Sequence, residues 1–265
     1  TEIYQGPDNL NAMVGVFIRF RQEVIAVIAD IKAFYHAVRL DPKDEDFHRF
    51  FYFNDLYDAS SPVIEYKLRC HLFGGISSQS VANLALFDTI ERSKQAGELN
   101  SDEAELVRKS FYSDDFLPSF EDLDSAISLV LTLIKELQAS NFHLTKFVSN
   151  SSEFLSKMPK DRVAPDVLEA VSSNQIISTL GVEWSPASDE LMYRFDIPSE
   201  AITTKRSLLS SIAQCYDPAG LVAFSIILAK LVLQNTFRRG LTWDQPLPPN
   251  MIACIECWIR NLVRL

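Results

Sequence analysis

Residues 110–117 read SFYSDDFL, and two adjacent aspartates interrupt an aromatic, apolar run that predicts a short pair of strands. Burying one unpaired carboxylate is costly, and a neighbouring like charge raises the cost further. Asp114 and Asp115 therefore need either a solvent-facing turn or a cation beside them. This choice decides whether the hairpin is an ordinary turn or a functional centre.

A third carboxylate follows another apolar run. Residues 24–30 read VIAVIAD, a β-branched stretch that predicts a buried strand ending at Asp30. If that strand lies beside the aspartate hairpin, three carboxylates converge, and Mg²⁺ is the cation that such oxygen ligands suit. The residues alone leave a second interpretation open, in which Asp30 caps a helix and Asp114 and Asp115 form a turn.

The remaining pattern predicts an α+β fold. Strands alternate with amphipathic helices in an order close to a split βαβ unit, an antiparallel sheet backed by helices. A strand hairpin is predicted around residues 50–70, and another around residues 176–198. Acidic runs at 41–46, 102–105 and 121–124 are typical of helix starts. The last part of the chain is predicted to be helical, at 204–215, 219–238 and 249–265.

Composition describes an ordinary globular chain. It has 265 residues, of which 47% are hydrophobic and 23% are charged. No apolar run reaches the roughly 18 residues that span a bilayer, so we expect a soluble, intracellular protein or a piece of a longer one. The net charge of −10 argues against a nucleic-acid partner. Cys254 and Cys257 form a C-x-x-C without a second ligand pair nearby, which favours plain thiols over a zinc site.

Five stretches in chain order resemble the motifs of a reverse transcriptase, and more narrowly the polymerase segment of BEL/Pao-type LTR retrotransposons. They are GPDNLNAMVGVFIRFRQEVIAVIADIKAFYHAVRL (6–40), LFGGISSQSVAN (72–83), YSDD (112–115), NFHLTKFVSN (141–150) and TLGVEW (179–184). Residues 204–234 and 240–248 are similar to the segment that follows these motifs in the family. Each motif alone is weak, but five in order are specific.

The resemblance implies a right-hand polymerase palm with partial fingers and a helical thumb or connection part. Residues 1–175 would form the palm, within which residues 41–72 would be fingers-like strands. Residues 176–203 would form the primer-grip hairpin, and residues 204–265 the helical thumb or connection segment. We expect truncation of that segment, because its last helix runs to the final residue without a C-cap signal.

The resemblance also assigns catalytic roles. Asp30, Asp114 and Asp115 would hold two Mg²⁺ ions, for which Mn²⁺ could substitute. Lys146 would neutralise or protonate the leaving pyrophosphate, with a plain solvated lysine as the alternative.

Nucleotide and primer contacts follow in the same way. Tyr35 would block a ribose 2′-OH and so favour dNTPs over NTPs, with a core aromatic as the alternative. Phe73 and Gly74 would line the floor of the nascent base pair. The primer-binding residues would be Tyr112, Gly181 and Trp184, although Trp184 could instead serve hairpin packing.

The chain departs from the family pattern in several places. Gln79 and Phe224 stand where proline is usual. We expect this piece to lack the basic upstream fingers strands, RNase H and integrase. Basic clusters that could track phosphates, or be ordinary surface charges, remain. They are Lys157 with Lys160 and Arg162, Lys205 with Arg206, and Arg238 with Arg239.

The resemblance implies an RNA-directed DNA polymerase, in which the primer 3′-OH attacks the α-phosphate of a dNTP. Expected partners are an RNA or DNA template with a DNA primer, dNTPs, and the protease, RNase H and integrase domains of a Pol polyprotein, with no membrane. The expected location is the cytoplasm or a virus-like particle. The alternative is an inactive or domesticated remnant that binds nucleic acid or protein. A palm-like nucleotidyl cyclase is disfavoured by YSDD and TLGVEW.

Overall fold

The computed structural model describes residues 3–164, 176–193 and 201–262. The chain divides into two units, Thr1–Ser173 and Asn174–Leu265. Each unit contains both helices and strands, and each is described by itself below.

The first unit is built around one long central strand. Strand β1 (Ile25–Lys32) pairs antiparallel with three other strands of the same sheet. These are β5 (Asp115–Phe116), β6 (Ser119–Phe120) and β7 (His143–Ser149), and the short β4 (Phe111–Tyr112) pairs with β5. The apolar run of β1 explains its position, because Val27 and Ala29 are fully buried. The prediction of an α+β fold with an antiparallel sheet is confirmed.

Helices pack around this sheet. They are α1 (Met13–Phe20), α2 (Ser78–Gln95), α3 (Ser101–Ser110), α4 (Leu123–Ala139) and α5 (Ser152–Lys157). Asn100 and Glu103 form a capping box that starts α3, and Asp122 caps α4 by accepting a hydrogen bond from the backbone N–H of Ser125 at 2.9 Å. The prediction that the acidic runs at 102–105 and 121–124 start helices is therefore confirmed.

A separate hairpin projects from the first unit. Strands β2 (Arg49–Phe53) and β3 (Val63–Lys67) form a two-stranded sheet, as the sequence predicts. Its aromatic side chains are largely exposed, and Phe51 retains 73% of its accessible surface. The register is supported by an ion pair between Arg49 and Glu65 at 2.7 Å.

In its described residues the second unit begins with three strands, where the sequence predicted a two-stranded hairpin, and the end of that predicted hairpin (194–198) lies outside the described ranges. They are β8 (Ile177–Thr179), β9 (Val182–Ser185) and β10 (Glu190–Met192). The extra reversal occurs at Leu180 and Gly181, which both have positive φ angles, of 49° and 79°. Two consecutive residues with positive φ form the tight turn that best matches the twist of a hairpin.

Three helices complete the second unit. They are α6 (Lys205–Gln214), α7 (Ala223–Arg238) and α8 (Pro249–Leu262). Buried apolar side chains from all three, including Leu208, Ile226 and Trp258, form one core. The predicted start of the middle helix at residue 219 is too early, because the Asp217 carboxylate accepts hydrogen bonds from the backbone N–H groups of Leu221 and Val222 before the helix begins. Among the described residues, no helix combines the length and hydropathy needed to cross a membrane.

Candidate active site

Strand register brings the three predicted carboxylates to one edge of the sheet. Asp30 on β1 is the direct partner of Asp115 on β5. The backbone carbonyl of Asp114 accepts a hydrogen bond from the N–H of Ile31 at 2.9 Å. Ser113 has a φ of 56°, the left-handed conformation that closes the turn between β4 and β5. The hairpin SFYSDDFL therefore presents its aspartates directly beside the strand that carries Asp30.

The convergence of these carboxylates is visible in the pKa of Asp115. Burial raises the pKa of Asp115 to about 7, and repulsion from Asp114 and Asp30 adds to the rise. The nearby ammonium group of Lys146 opposes the shift only in part. The edge therefore has an excess of negative charge, which a bound cation would relieve.

Lys146 reaches this edge through a β-bulge. Ile28 pairs with Val148 and Asp30 with Thr145, so Lys146 and Phe147 together lie opposite Ala29. Lys146 has a φ of 58°, and its ammonium group donates a hydrogen bond to the Asp30 carboxylate. This contact raises the pKa of Lys146, so the side chain stays protonated at neutral pH.

The carboxylates suit Mg²⁺ by their chemistry, since this ion prefers oxygen ligands and binds through few carboxylates. They are not gathered around a single point, however. Across the part of the chain that the structure describes, no group of three or more His, Cys, Asp or Glu side chains is close enough together to hold a metal ion. The Asp30 carboxylate is instead paired with Lys146. A shared ion would therefore compete with this ammonium group for Asp30.

Tyr35 stands beside the carboxylates at the wall of an open cleft. A 3₁₀ turn from Phe34 to Ala37 follows β1 and carries the tyrosine. Its ring packs edge-on against Phe73, with 5.9 Å between ring centroids. The cleft has a volume of about 560 Å³, and its lining includes Asp30, Tyr35, Phe73, Asp114 and Lys146. The cleft thus brings together Tyr35 and Phe73 with Asp30, Asp114 and Lys146, whereas Asp115 is not part of its lining. Tyr35 is half-buried rather than part of the core.

Gly74 follows Phe73 in a left-handed conformation with a φ of 84°. No atom lies within 4 Å of the position where a Cβ would be. The glycine therefore serves the backbone turn and leaves open space above it.

Some residues near this cleft are absent from the set that the sequence predicted. A neighbouring cleft of about 480 Å³ shares part of its lining with the first and adds His143 and Asn141. Gln79 contacts Tyr35 directly, although the sequence marked it only as a departure from the family pattern. Neither a lone histidine nor a glutamine on a helix carries a sequence signal, because only the tertiary arrangement brings them to the site.

The predicted primer-binding residues divide between the two units. Tyr112 lies on β4, where it pairs with Asp115. Gly181 and Trp184 belong to the second unit. Trp184 is fully buried, and its indole N–H donates to Asp189 at 3.1 Å, a position that the packing alternative explains. A Cβ on Gly181 would lie 2.0 Å from the ring of Tyr216, so only glycine fits this turn as it stands.

One predicted basic cluster does not fit a phosphate-tracking role. Lys205 is only 5% exposed, and its ammonium group donates to the carbonyl of Leu241 at 3.0 Å. The same group lies 3.5 Å from the ring centroid of Phe237 and 4.9 Å from that of Trp243. Its partner in the predicted cluster, Arg206, pairs with Asp244 at 2.7 Å. Lys205 thus has a structural role inside the second unit. Two adjacent basic residues in a sequence do not indicate such burial.

Comparison with known proteins gives two findings. Residues 204–264 match the family model described as the Pao retrotransposon-like RNaseH-like domain. The chain also resembles the solved foamy viral protease-reverse transcriptase in complex with RNA/DNA hybrid, with a TM-score of 0.58 and 10% sequence identity. That likeness covers 96% of this chain but only 29% of the foamy viral chain.

A comparison with curated proteins gives no match. At 10% identity, the structural likeness establishes a shared fold and no more. The Pao match adds the retroelement lineage that the ordered motifs indicate. Together, the family match and the shared fold support a Pol protein of a BEL/Pao-type retroelement.

Proposed function

We propose that this chain is the nucleotide-adding part of a retroelement RNA-directed DNA polymerase. The observation that carries the proposal is the meeting of Asp30, Asp114 and Asp115 at one sheet edge, beside Lys146 and an open cleft that holds Tyr35. An arrangement of this kind is costly unless it serves a cation and a phosphate substrate.

The proposed function gives each part of the fold a role. The sheet around β1 would be the palm, and the β2–β3 hairpin would belong to the fingers. The strands β8 to β10 would form the primer grip, and the helices α6 to α8 the thumb or connection part. The support is the shared fold with a reverse transcriptase and the order of the sequence motifs.

Asp30, Asp114 and Asp115 would hold the metal ions, and Mg²⁺ would neutralise the phosphates of the incoming nucleotide. Lys146 would face the leaving pyrophosphate, where its ammonium group can donate a hydrogen bond or a proton. The ring of Tyr35, held against Phe73, would stand where a ribose 2′-OH must fit, so a dNTP would be accepted and an NTP rejected.

The proposed partners are a template with a DNA primer, dNTPs and the other domains of a Pol polyprotein. The foamy viral relative is described in complex with RNA/DNA hybrid. Although the net charge of −10 works against a polyanion, the clefts beside the carboxylates are lined by basic groups. Lys32, His36, His143, Lys146 and Arg162 all contribute to this lining.

An RNase H-like activity of residues 204–264 is the second candidate, because the matched family model carries that description. Such hydrolysis requires clustered carboxylates that hold metal ions. The described part of this segment, like the aspartates of the first unit, has no group of three such side chains close enough together to hold a metal ion. Asp217 caps α7 through backbone N–H groups, and Asp244 pairs with Arg206. The polymerase site is better supported than a nuclease site, because Asp30 and Asp114 lie close enough to Asp115 to raise its pKa, whereas Asp217 and Asp244 have other partners.

Primer extension tests the proposal. The Pol protein that carries this chain should extend oligo(dT) on poly(rA) with dTTP and Mg²⁺, and Asp114→Asn should abolish extension. Asp124→Asn, at an exposed position in the first turn of α4, is the matched control and should leave extension unchanged.

Three results would count against the assignment. If Asp114→Asn still extends the primer, Asp114 is not required for nucleotide addition. Binding of the primer–template without any extension by the wild type would instead support the inactive remnant. Cleavage of a labelled RNA strand that is insensitive to Asp114→Asn would support the nuclease alternative.

A further inference from the structure

Gln79 connects the two halves of the candidate site through one side-chain oxygen. The hydroxyl of Tyr35 donates to Gln79 Oε1 at 2.6 Å, and the hydroxyl of Ser113 donates to the same oxygen at 3.1 Å. Tyr35 stands at the wall of the cleft, and Ser113 immediately precedes Asp114. A single amide on α2 thus touches both the tyrosine and the aspartate turn.

The nitrogen of this amide makes a third contact. Its Nε2 donates to Asn83 Oδ1 at 3.2 Å, one helical turn further along α2. Asn83 is only 1% exposed. The amide nitrogen thus donates towards Asn83, and the carbonyl oxygen faces the two hydroxyl groups. An amide oxygen has two acceptor sites and no proton, so both hydroxyls act as donors and neither rotates freely.

We propose that Gln79 is a positioning residue, which sets ribose discrimination through Tyr35 and the placement of the aspartates through Ser113. The proposal rests on the proposed polymerase function. Proline, which the family pattern has at this position, offers no side-chain oxygen and could not make either bond. Gln79 therefore makes two contacts that a proline at this position could not make.

The two connections predict different kinetic effects. Tyr35 is also held by the edge-on contact with Phe73, so the hydroxyl bond limits the remaining freedom of its ring. Loss of that bond should relax the exclusion of a 2′-OH. Ser113 is in the left-handed region with a φ of 56°, so its bond to Gln79 supports the turn that presents Asp114. Loss of this second bond should slow nucleotide addition whichever sugar is present.

The test is a kinetic comparison of Gln79→Met with the wild type in the full Pol protein. Methionine keeps the length of the side chain and removes both hydrogen-bonding groups. Discrimination is the ratio of kcat/KM for dTTP to kcat/KM for UTP on poly(rA)/oligo(dT). We expect this ratio to fall about fivefold to tenfold, the effect of losing one ordinary hydrogen bond. Gln95→Met, at an exposed position on the same helix, should leave the ratio unchanged.

Double variants separate the two connections. With Tyr35→Phe in place, Gln79→Met should cause no further fall in discrimination, because the bond is already lost. Ser113→Ala should lower kcat for dTTP and UTP alike and leave the ratio intact. Thermal unfolding of each variant identifies any general loss of structure, which would lower both rates without this pattern.

The outcomes distinguish this proposal from the proposed function. If the wild type extends primers and the effects of Tyr35→Phe and Gln79→Met on discrimination are independent, the positioning role is wrong while the polymerase assignment stands. An unchanged ratio in Gln79→Met would overturn it equally. If the wild type extends no primer, the polymerase function fails, and the role of Gln79 fails with it.

Discussion

Lys146 pairs with Asp30 at a bulge, where the pairing of β1 with β7 changes register. If the pairing of Asp30 with Thr145 continued regularly, Lys146 would oppose Ala29, which is fully buried and lies on the other face of the sheet from Asp30. The extra residue and the positive φ at Lys146 redirect the side chain. The charge of the site thus depends on a local irregularity of the backbone.

The bulge predicts an unusual ranking of two variants at this position. Lys146→Gly and Lys146→Ala both lose the ion pair, but only alanine retains the strain of a positive φ. We therefore expect Lys146→Gly to be more stable than Lys146→Ala by about 1 kcal/mol in urea unfolding. A regular strand would reverse the order, because glycine weakens strands by roughly 0.5–1 kcal/mol relative to alanine.

His143 supplies the matched control for this ranking. It pairs with Lys32 in the regular part of the same strand. His143→Gly should therefore be less stable than His143→Ala. If glycine is the less stable variant at Lys146 as well as at His143, the bulge does not exist in solution.

Lys146 also has a predicted role in catalysis. Its raised pKa keeps the ammonium group charged, so it can stabilise the leaving pyrophosphate. We expect Lys146→Met to lower kcat for dTTP by about 100-fold with little change in KM, the usual effect of removing one donor that stabilises developing negative charge. Lys146→Arg keeps the charge and should lose less.

The control is Lys135→Met, which removes an exposed lysine from α4 that pairs with Glu98. Single-turnover primer extension measures the chemical step directly. A normal rate for Lys146→Met would reduce this residue to an ordinary solvated lysine.

His71 predicts a pH dependence of stability in the first unit. It is only 7% exposed, and its Nδ1 is buried without a hydrogen-bond partner among the described residues. Burial lowers the pKa of His71 below its usual value of 6.5, the charge of His48 lowers it further, and Asp44 acts in the opposite direction. The folded protein therefore favours the neutral ring.

The sign of the effect follows from proton binding. Below pH 6.5 His71 binds a proton in the unfolded chain but stays neutral in the folded protein, because its folded pKa is lower. The contribution of His71 to stability is therefore fully present above pH 6.5 and is lost as the pH falls through the folded pKa. We expect His71→Phe to reduce the fall in unfolding free energy between about pH 7 and 5. His36→Gln, at an exposed position, should keep the wild-type slope. An unchanged slope in His71→Phe would assign the acid sensitivity to other groups.

The strands and helices that carry the site were predictable, because their signals are local. The apolar run before Asp30 and the aromatic residues around Asp114 each predict a strand, and the sheet pairs these strands as the carboxylates require. The conformation of Lys146 was not predictable, since a bulge depends on how two distant strands fit together. The hydrogen bonds of Gln79 likewise depend on the approach of α2 to the aspartate turn.

Burial of a charged residue is equally hidden from the sequence. The letters KR at 205–206 indicate an exposed basic pair, but Lys205 lies against two aromatic rings and a backbone carbonyl. The rings come from residues more than thirty positions away along the chain. No local pattern contains that information.

Lys205 gives the last prediction, which concerns the stability of the second unit. Lys205→Met keeps the apolar stem but removes the cation from the rings of Phe237 and Trp243, and it leaves the carbonyl of Leu241 without its donor. We expect a loss of about 2 kcal/mol in urea unfolding, the usual size for these two effects together. Lys230→Met, at an exposed position on α7, should change stability by less than about 0.5 kcal/mol.

Salt dependence separates this structural role from phosphate binding. Each phosphate contact that is lost changes the slope of log K against log salt concentration by about 0.9. Because the ammonium group of Lys205 is buried, Lys205→Met should bind an RNA/DNA hybrid with the wild-type slope at temperatures where it is folded. If Lys205→Met shows a smaller salt slope and an unchanged free energy of unfolding, Lys205 is exposed and contacts phosphate, as the sequence suggested.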